Sequence, residues 1–271
     1  IPLAIISSAI AIPSVQNLNG FKKEFVTYES SLSDIFGVIF FNFITLNAYI
    51  GTQSVGNFLL QLFIILVITI ISTLSLAFLL SKIKHSVKFV PIILMIVLIY
   101  AISKEYHLPA LIFILLFGLF LGNLDELKHI AFIEKLQPDL LNKEVHKFKE
   151  LTGEIAFLIR SLFFLLFGYL IETAELLNTE TIIWAVGITI GIFVVRLVFL
   201  MLFKIALMPI LFIAPRGLIT ILLFLTIPIS QITALVNKSL IIQVIILNAL
   251  VMMFGLIINK KEHVEPKKSA N

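Results

Sequence analysis

Glu29, Asp34, Arg160, Arg196 and Arg216 lie in or beside long apolar runs, where charge is costly and is usually retained for a purpose. In YESSLSDIFG, residues 28–37, two carboxylates stand at the head of the apolar run Ile35–Ile50. That run is sixteen residues long, short of the ~20 that cross a bilayer. A spanning helix therefore has to reach back through ESSLSD and draw Asp34 below the headgroups. Spaced five apart, the two acids sit roughly 140° around a helix and ~7.5 Å along it. They cannot share one proton on one face, so their roles differ. Capping of the first turn, with Ser30, Ser31 and Ser33 in support, accounts for Glu29 and poorly for Asp34. A deep carboxylate is an oxygen ligand that protons and hard cations both seek.

Arg196, in GITIGIFVVRLVFLMLF, is apolar on both sides. A guanidinium keeps its proton at any relevant pH, so Arg196 either snorkels toward Lys204 or pairs with a carboxylate on another helix. Charge accounting favours Glu29, which points away from the Asp34 face. Arg160 lies two turns inside the inner end of its run, where snorkelling and pairing are both open. Two runs carry a proline near their middle: ISSAIAIPSVQNL around Pro13, and ILFIAPRGLITILL around Pro215, Arg216 and Gly217. Each is either a simple kink or one of a pair of broken helices, the second being a pointer to a transporter site. At such a break, water and freed carbonyls accommodate Arg216.

The elements that must position these residues follow from composition. Of 271 residues, 60% are hydrophobic and 13% charged, with a mean hydropathy of +1.11. The chain reads as an all-α polytopic membrane protein. Spans are expected at 1–15 (incomplete), 29–50, 58–81, 89–103, 108–122, 152–172, 181–203, 209–230 and 239–258. With loops placed alternately, fifteen lysines fall on one side and only Lys104 and Lys238 on the other. The lysine excess puts the C-terminus and the Lys82–Lys88 loop in the cytoplasm and Asn178 outside. It also explains the net charge of +4, so no nucleic-acid partner is expected; the partner is the lipid bilayer. Ile1 opens the chain inside an apolar stretch, and the expectation is a fragment whose N-terminal part precedes it.

Cysteine is absent, which excludes disulfides and thiolate chemistry. No His-Glu-x-x-His, no Gly-x-Ser-x-Gly and no histidine within a span is present, so no enzyme activity is expected. The interval 123–150 reads as a cytoplasmic connector with an amphipathic helix broken at Pro138, and His129 and His146 as surface residues. The loop ETAELLNTE, 172–180, is acidic, and the tail NKKEHVEPKKSAN reads as disordered.

YESSLSDIFGVIFF, FVVRLVFL and APRGLITILLF, in this order and at these separations, resemble the monovalent cation/proton antiporter superfamily, most closely its NhaP- and NHE-like branch. IRSLFFLLFGYLI is similar to the helix that precedes the Arg helix there. The resemblance runs from about residue 5 to 258. It implies an antiporter-type inverted-repeat helical bundle with two broken, crossing helices, of roughly thirteen helices with the first four absent. It also implies a homodimer, formed through absent helices and those near 89–172. On this likeness 1–50 is the first part of the core ion-binding domain, 51–88 a linker helix, and 89–178 the dimerisation and scaffold helices. The second part of the core is 179–259, and the cytoplasmic tail 260–271. Asp34 is then the cation- and proton-binding carboxylate, Glu29 the structural partner of Arg196, and Arg216 part of the second crossing helix. Two positions depart from the family pattern. Ser33 stands where Asn usually precedes the Asp, and Ala11–Ile12–Pro13 where Thr–Asp–Pro is usual.

A bare carboxylate does not cross a low-dielectric barrier cheaply, so it moves only when loaded with H⁺ or a metal cation. Alternating access under that restriction is antiport. Ser33 brings no charge, so one proton for one cation, an electroneutral exchange, is the simplest stoichiometry. Asp34, the Ser33 hydroxyl, carbonyls freed near Pro13 and water are the expected ligands of a transient alkali ion, Na⁺ first and K⁺ or Li⁺ as alternatives. No cofactor is expected. The location is integral to a membrane, a bacterial plasma (inner) membrane by expectation. A cation channel, and a non-transporting scaffold or sensor motivated by Ala11–Ile12–Pro13, remain the alternatives.

Overall fold

The computed structural model of the chain describes residues 1–47, 51–82, 89–105, 110–122, 138–228 and 236–259. The expected features at 48–50, 83–88, 123–137 (with His129), 229–230 and 260–271 lie outside the described residues. Every regular element among those described is helical, as a chain that must satisfy its backbone inside lipid requires. By length and composition four helices are able to cross a membrane: Thr52–Ser72, Val145–Leu170, Thr179–Leu202 and Lys238–Ile258. The protein is an all-α polytopic membrane protein.

Gly20–Leu46 is a single helix of 27 residues. The Asn19 side chain accepts the Lys22 N–H at 3.0 Å, which caps its first turn. The helix thus starts nine residues before Glu29, which rules out the capping role weighed for Glu29 as the alternative to pairing with Arg196. Physically, the polar stretch FKKEFVTY keeps forming i,i−4 bonds in the interfacial region, where apolar periodicity no longer reports helix. Asp34 sits about 21 Å from one end and 18 Å from the other. Tyr28, Leu32, Phe36, Phe40 and Ile44, four apart, form an exposed face, while Val26, Ser30, Asp34 and Phe41 are buried. Apolar residues out and polar residues in is the arrangement that lipid selects. Ser30 contributes no unpaired polarity, since its hydroxyl bonds back to Val26 O at 2.7 Å.

The chain divides into two compact units, residues 1–46 with 162–271, and residues 47–161. In the second unit the helix Thr52–Lys82 packs on Ala110–Gly122 and Phe89–Glu105, with Ile65, Phe113 and Phe117 buried between them. Pro138 opens a helix that continues to Leu170. A proline is at home in a first turn, and the segment before it, on which the expected break at Pro138 depends, lies outside the described residues.

In the first unit Thr179–Leu202 packs on Lys238–Ile258. Asn178 and Asn237 cap these helices, accepting Glu180 N and Leu240 N at 3.0 Å each. Buried Gln243 donates to the carbonyls of Leu176 and Asn178 and accepts the Thr181 hydroxyl, which staples the 172–178 loop to the helix pair. Beside them run two interrupted segments. One comprises a 3-10 turn at Pro2–Ala4, an extended stretch, and a short helix Ser8–Ser14. The other comprises a 3-10 turn at Ile210–Phe212, the irregular stretch 213–217, and the helix Leu218–Leu225.

Candidate functional site

The two interruptions meet. Ser7 N–H donates to Pro215 O at 2.8 Å, so each segment satisfies backbone of the other. Interruption at Pro215, Arg216 and Gly217 matches the expectation from their sequence. The first interruption does not centre on Pro13. Pro13 is the sixth of seven residues in the Ser8–Ser14 helix and is exposed. The break lies earlier, at Ile5–Ser7, because the backbone there finds partners off its own segment. Ile6 N–H donates to Ser33 Oγ at 2.9 Å, and Ser7 N–H goes to Pro215. A proline frees one carbonyl; these contacts fix where the helix actually stops.

Close approach shapes the crossing. A Cβ on Gly217 would lie 2.8 Å from Ser7 Oγ and 3.0 Å from Ile10 Cδ1, so any residue larger than glycine must displace the Ser7 side chain of the opposite segment. Ile5 likewise occupies the space a Cβ would take on Gly37 of the Asp34 helix.

Asp34 is buried beside this crossing, with 7% of its surface exposed. One oxygen, Oδ2, accepts two bonds from Ser8, from the backbone N–H at 3.1 Å and from the hydroxyl. The other, Oδ1, is buried with no hydrogen-bond partner among the described residues. An unsatisfied buried oxygen on a carboxylate is unstable as it stands and calls for a proton, a cation or water. Ser33, expected as a ligand beside Asp34, spends one lone pair on Ile6 N–H and so also pins the broken segment. Of the three serines in the first interrupted segment, Ser7, Ser8 and Ser14, Ser8 touches Asp34. Ser7 sits on Gly217, and Ser14 donates to its own helix at Ala11 O, 2.7 Å away.

Glu29 and Arg196 come together. The guanidinium donates from Nη1 to Oε1 at 2.5 Å and from Nη2 to Oε2 at 2.8 Å, a two-pronged pair. Nε and Nη2 also clasp Ile210 O at 3.1 and 3.0 Å. The pair therefore ties the Asp34 helix, the Arg196 helix and the turn that leads into the second interruption. Arg216 makes no such pair. It donates from Nε to Leu3 O at 2.7 Å and from Nη1 to Ala214 O at 2.8 Å, and thus supports the carbonyl end of the Pro2–Ala4 turn. Arg160, on its own helix, donates to Ala156 O at 3.1 Å.

Among the buried polar residues in the spans that the sequence reading passed over are Thr189, Gln243 and Asn248. Their signal was available, since a glutamine and an asparagine inside SLIIQVIILNALVMMF stand out as sharply as a charge does. Asn248 reaches Thr189 Oγ1 at 3.4 Å and Val244 O at 2.7 Å, which locks the two long helices together.

The family model described as "Sodium/hydrogen exchanger, transmembrane" matches residues 1–259 of this chain. No curated protein matches it, and no solved structure does.

Proposed function

Because the chain belongs to the sodium/hydrogen exchanger family, whose business is cation/proton exchange, we propose that it trades one monovalent cation, Na⁺ first, for one H⁺ at the single carboxylate Asp34. The observation that carries this reading is the buried Oδ1 of Asp34, unpartnered among the described residues, beside two interrupted segments. Hard alkali ions take oxygen ligands, and the local supply is Asp34 itself, the hydroxyls of Ser8 and Ser33, and backbone carbonyls of the interrupted stretches.

The cycle follows from charge. Facing water, Asp34 carries either a proton or a cation and is neutral as a site. In that loaded state it passes the low-dielectric barrier, whereas the bare carboxylate does not. Ser8 holds one oxygen fixed, leaving the other to the two competitors. Since Ser33 adds no charge, loading is one for one and the exchange is electroneutral. The Glu29–Arg196 pair holds three elements in register and carries no ion.

The non-transporting reading drew on Ala11–Ile12–Pro13. That tripeptide lies past the break, in the short helix, so its departure from the family pattern weighs little against transport. We further propose that the Lys-rich side and C-terminus face the cytoplasm and that the protein works as a homodimer.

The test is exchange by full-length protein in sealed vesicles carrying a preset pH gradient. Asp34→Asn should abolish cation-driven collapse of the gradient, with Na⁺, K⁺ and Li⁺ compared in the parent. Retained exchange in a folded Asp34→Asn protein ends the proposal, and a membrane potential generated by transport refutes the one-for-one stoichiometry.

A further inference from the structure

The crossing region borders a cavity of about 690 Å³, whose lining includes Phe25, Glu29, Val195, Arg196, Phe199 and Arg216. Its charge does not close. Two guanidiniums that never lose their protons face one carboxylate, and Glu29 already gives both oxygens to Arg196. Arg216 is 3% exposed, and its partners among the described residues are the carbonyls of Leu3 and Ala214. Those two bonds use two of the five N–H groups a guanidinium carries, and the others have no acceptor among the described residues. A nearly buried, permanently charged fork that shares its one nearby carboxylate, Glu29, with Arg196 leaves a net positive charge in the cavity for an anion to neutralise.

We propose that this cavity seats a phosphate-bearing anion, in the first place the headgroup of an anionic phospholipid, with its oxygens held by Arg216 and by the fifth N–H of Arg196, the one on Nη1 that Glu29 and Ile210 leave over. Phosphate matches the guanidinium fork in geometry and charge. Size is adequate, since ligand cavities typically span about 300–1,000 Å³. The walls favour a lipid over a free ion: Val195 and Phe199 line the cavity while each stays more than half exposed. The mouth therefore continues into an outward apolar surface, which suits acyl chains. Arg196 lies six residues from the helix end at Leu202, with Lys204 just beyond, a depth a headgroup reaches by sinking slightly. The site does not depend on Asp34 being the exchange site, and it is read by binding alone.

Full-length protein in nanodiscs of equal phosphatidylcholine and phosphatidylglycerol supplies the test, with lipid retained on the released protein counted by native mass spectrometry. A second arm titrates inorganic phosphate, at fixed ionic strength, against protein in phosphatidylcholine alone, followed by thermal unfolding. Phosphatidylglycerol retained in preference to phosphatidylcholine is the expected result. Val195→Phe, which narrows the mouth without touching a charge, should lower that preference. Arg216→Lys, which keeps the charge and loses the fork, should lower it by about tenfold, as loss of a charge-assisted hydrogen bond does, while the protein still folds. Stabilisation by inorganic phosphate without lipid preference keeps the anion site and assigns it a soluble occupant. No lipid preference together with no response to phosphate, in folded protein, overturns the proposal.

Discussion

Neutralising one member of the Glu29–Arg196 pair should cost more than neutralising both. Arg196 keeps 7% of its side chain exposed and Glu29 25%, so the two losses are unequal. Glu29→Gln strands a nearly buried guanidinium and belongs at the upper end of the ~3–5 kcal/mol seen when a buried pair is broken. Arg196→Gln strands a carboxylate with a quarter of its surface open. It also deprives Ile210 O of its two donors, for about 3 kcal/mol, or roughly 150-fold in the folded-to-unfolded ratio. The double mutant strands no charge and should be better folded than the sum of the singles by about 2 kcal/mol or more. Equilibrium unfolding in mixed detergent micelles, followed by circular dichroism, gives all four corners of the cycle. Vesicle exchange on the folded fraction should show the apparent cation affinity nearly unmoved. A coupling energy within about 0.5 kcal/mol of zero would refute the argument, because the two side chains would then contribute independently. An affinity change exceeding the stability change would instead place Glu29 among the ion ligands.

Ser8→Ala should weaken apparent cation affinity in vesicle exchange without abolishing turnover, since Asp34 Oδ2 loses its hydroxyl donor but keeps the Ser8 N–H; unchanged affinity would remove Ser8 from the site. Gly217→Ala should reduce folded protein or exchange, read together on the same preparation, because its Cβ falls 2.8 Å from Ser7 Oγ. Adding Ser7→Ala should restore part of the loss, and no restoration would place the strain elsewhere. For topology, Ala174→Cys is preferable to a change at Asn178, which caps a helix. In intact cells an impermeant thiol reagent should label Ala174→Cys and not Ser269→Cys, and the reverse pattern overturns the lysine-based orientation.

The residues that carry charge were legible because a span leaves so few of them. With Arg196 permanently charged and Glu29 turned away from Asp34, charge accounting favoured the pairing that the family resemblance also implied, with snorkelling as the alternative. Helix ends were less so. In a water-filled interface FKKEFVTY is helical without being apolar, so hydropathy placed the start of the Asp34 helix nine residues late. The first break escaped for a different reason. Its position depends on Ser33 Oγ and Pro215 O, acceptors supplied by distant chain, and proline was the only local cue. Ser8 was visible as a hydroxyl in an apolar run, but nothing in the sequence says which of the three serines there, Ser7, Ser8 or Ser14, faces a carboxylate. Arg216 read correctly as a residue of the break, while its carbonyl partners required the fold.

The hydrogen bond from Arg216 to Leu3 O spans 213 residues, which has a consequence for how the molecule is made. At a synthesis rate of about 5–20 residues per second, Arg216 leaves the ribosome roughly 10–40 s after Leu3. Throughout that interval the Pro2–Ala4 turn and the extended stretch behind it lack the groups that satisfy them, in a solvent offering no water as a substitute. The early segment therefore waits at the interface or against the insertion machinery and settles only when the last helices arrive. Assembly of the core is a late event in biogenesis, and a ribosome stalled before Pro215 should leave the first segment open to protease or solvent exchange.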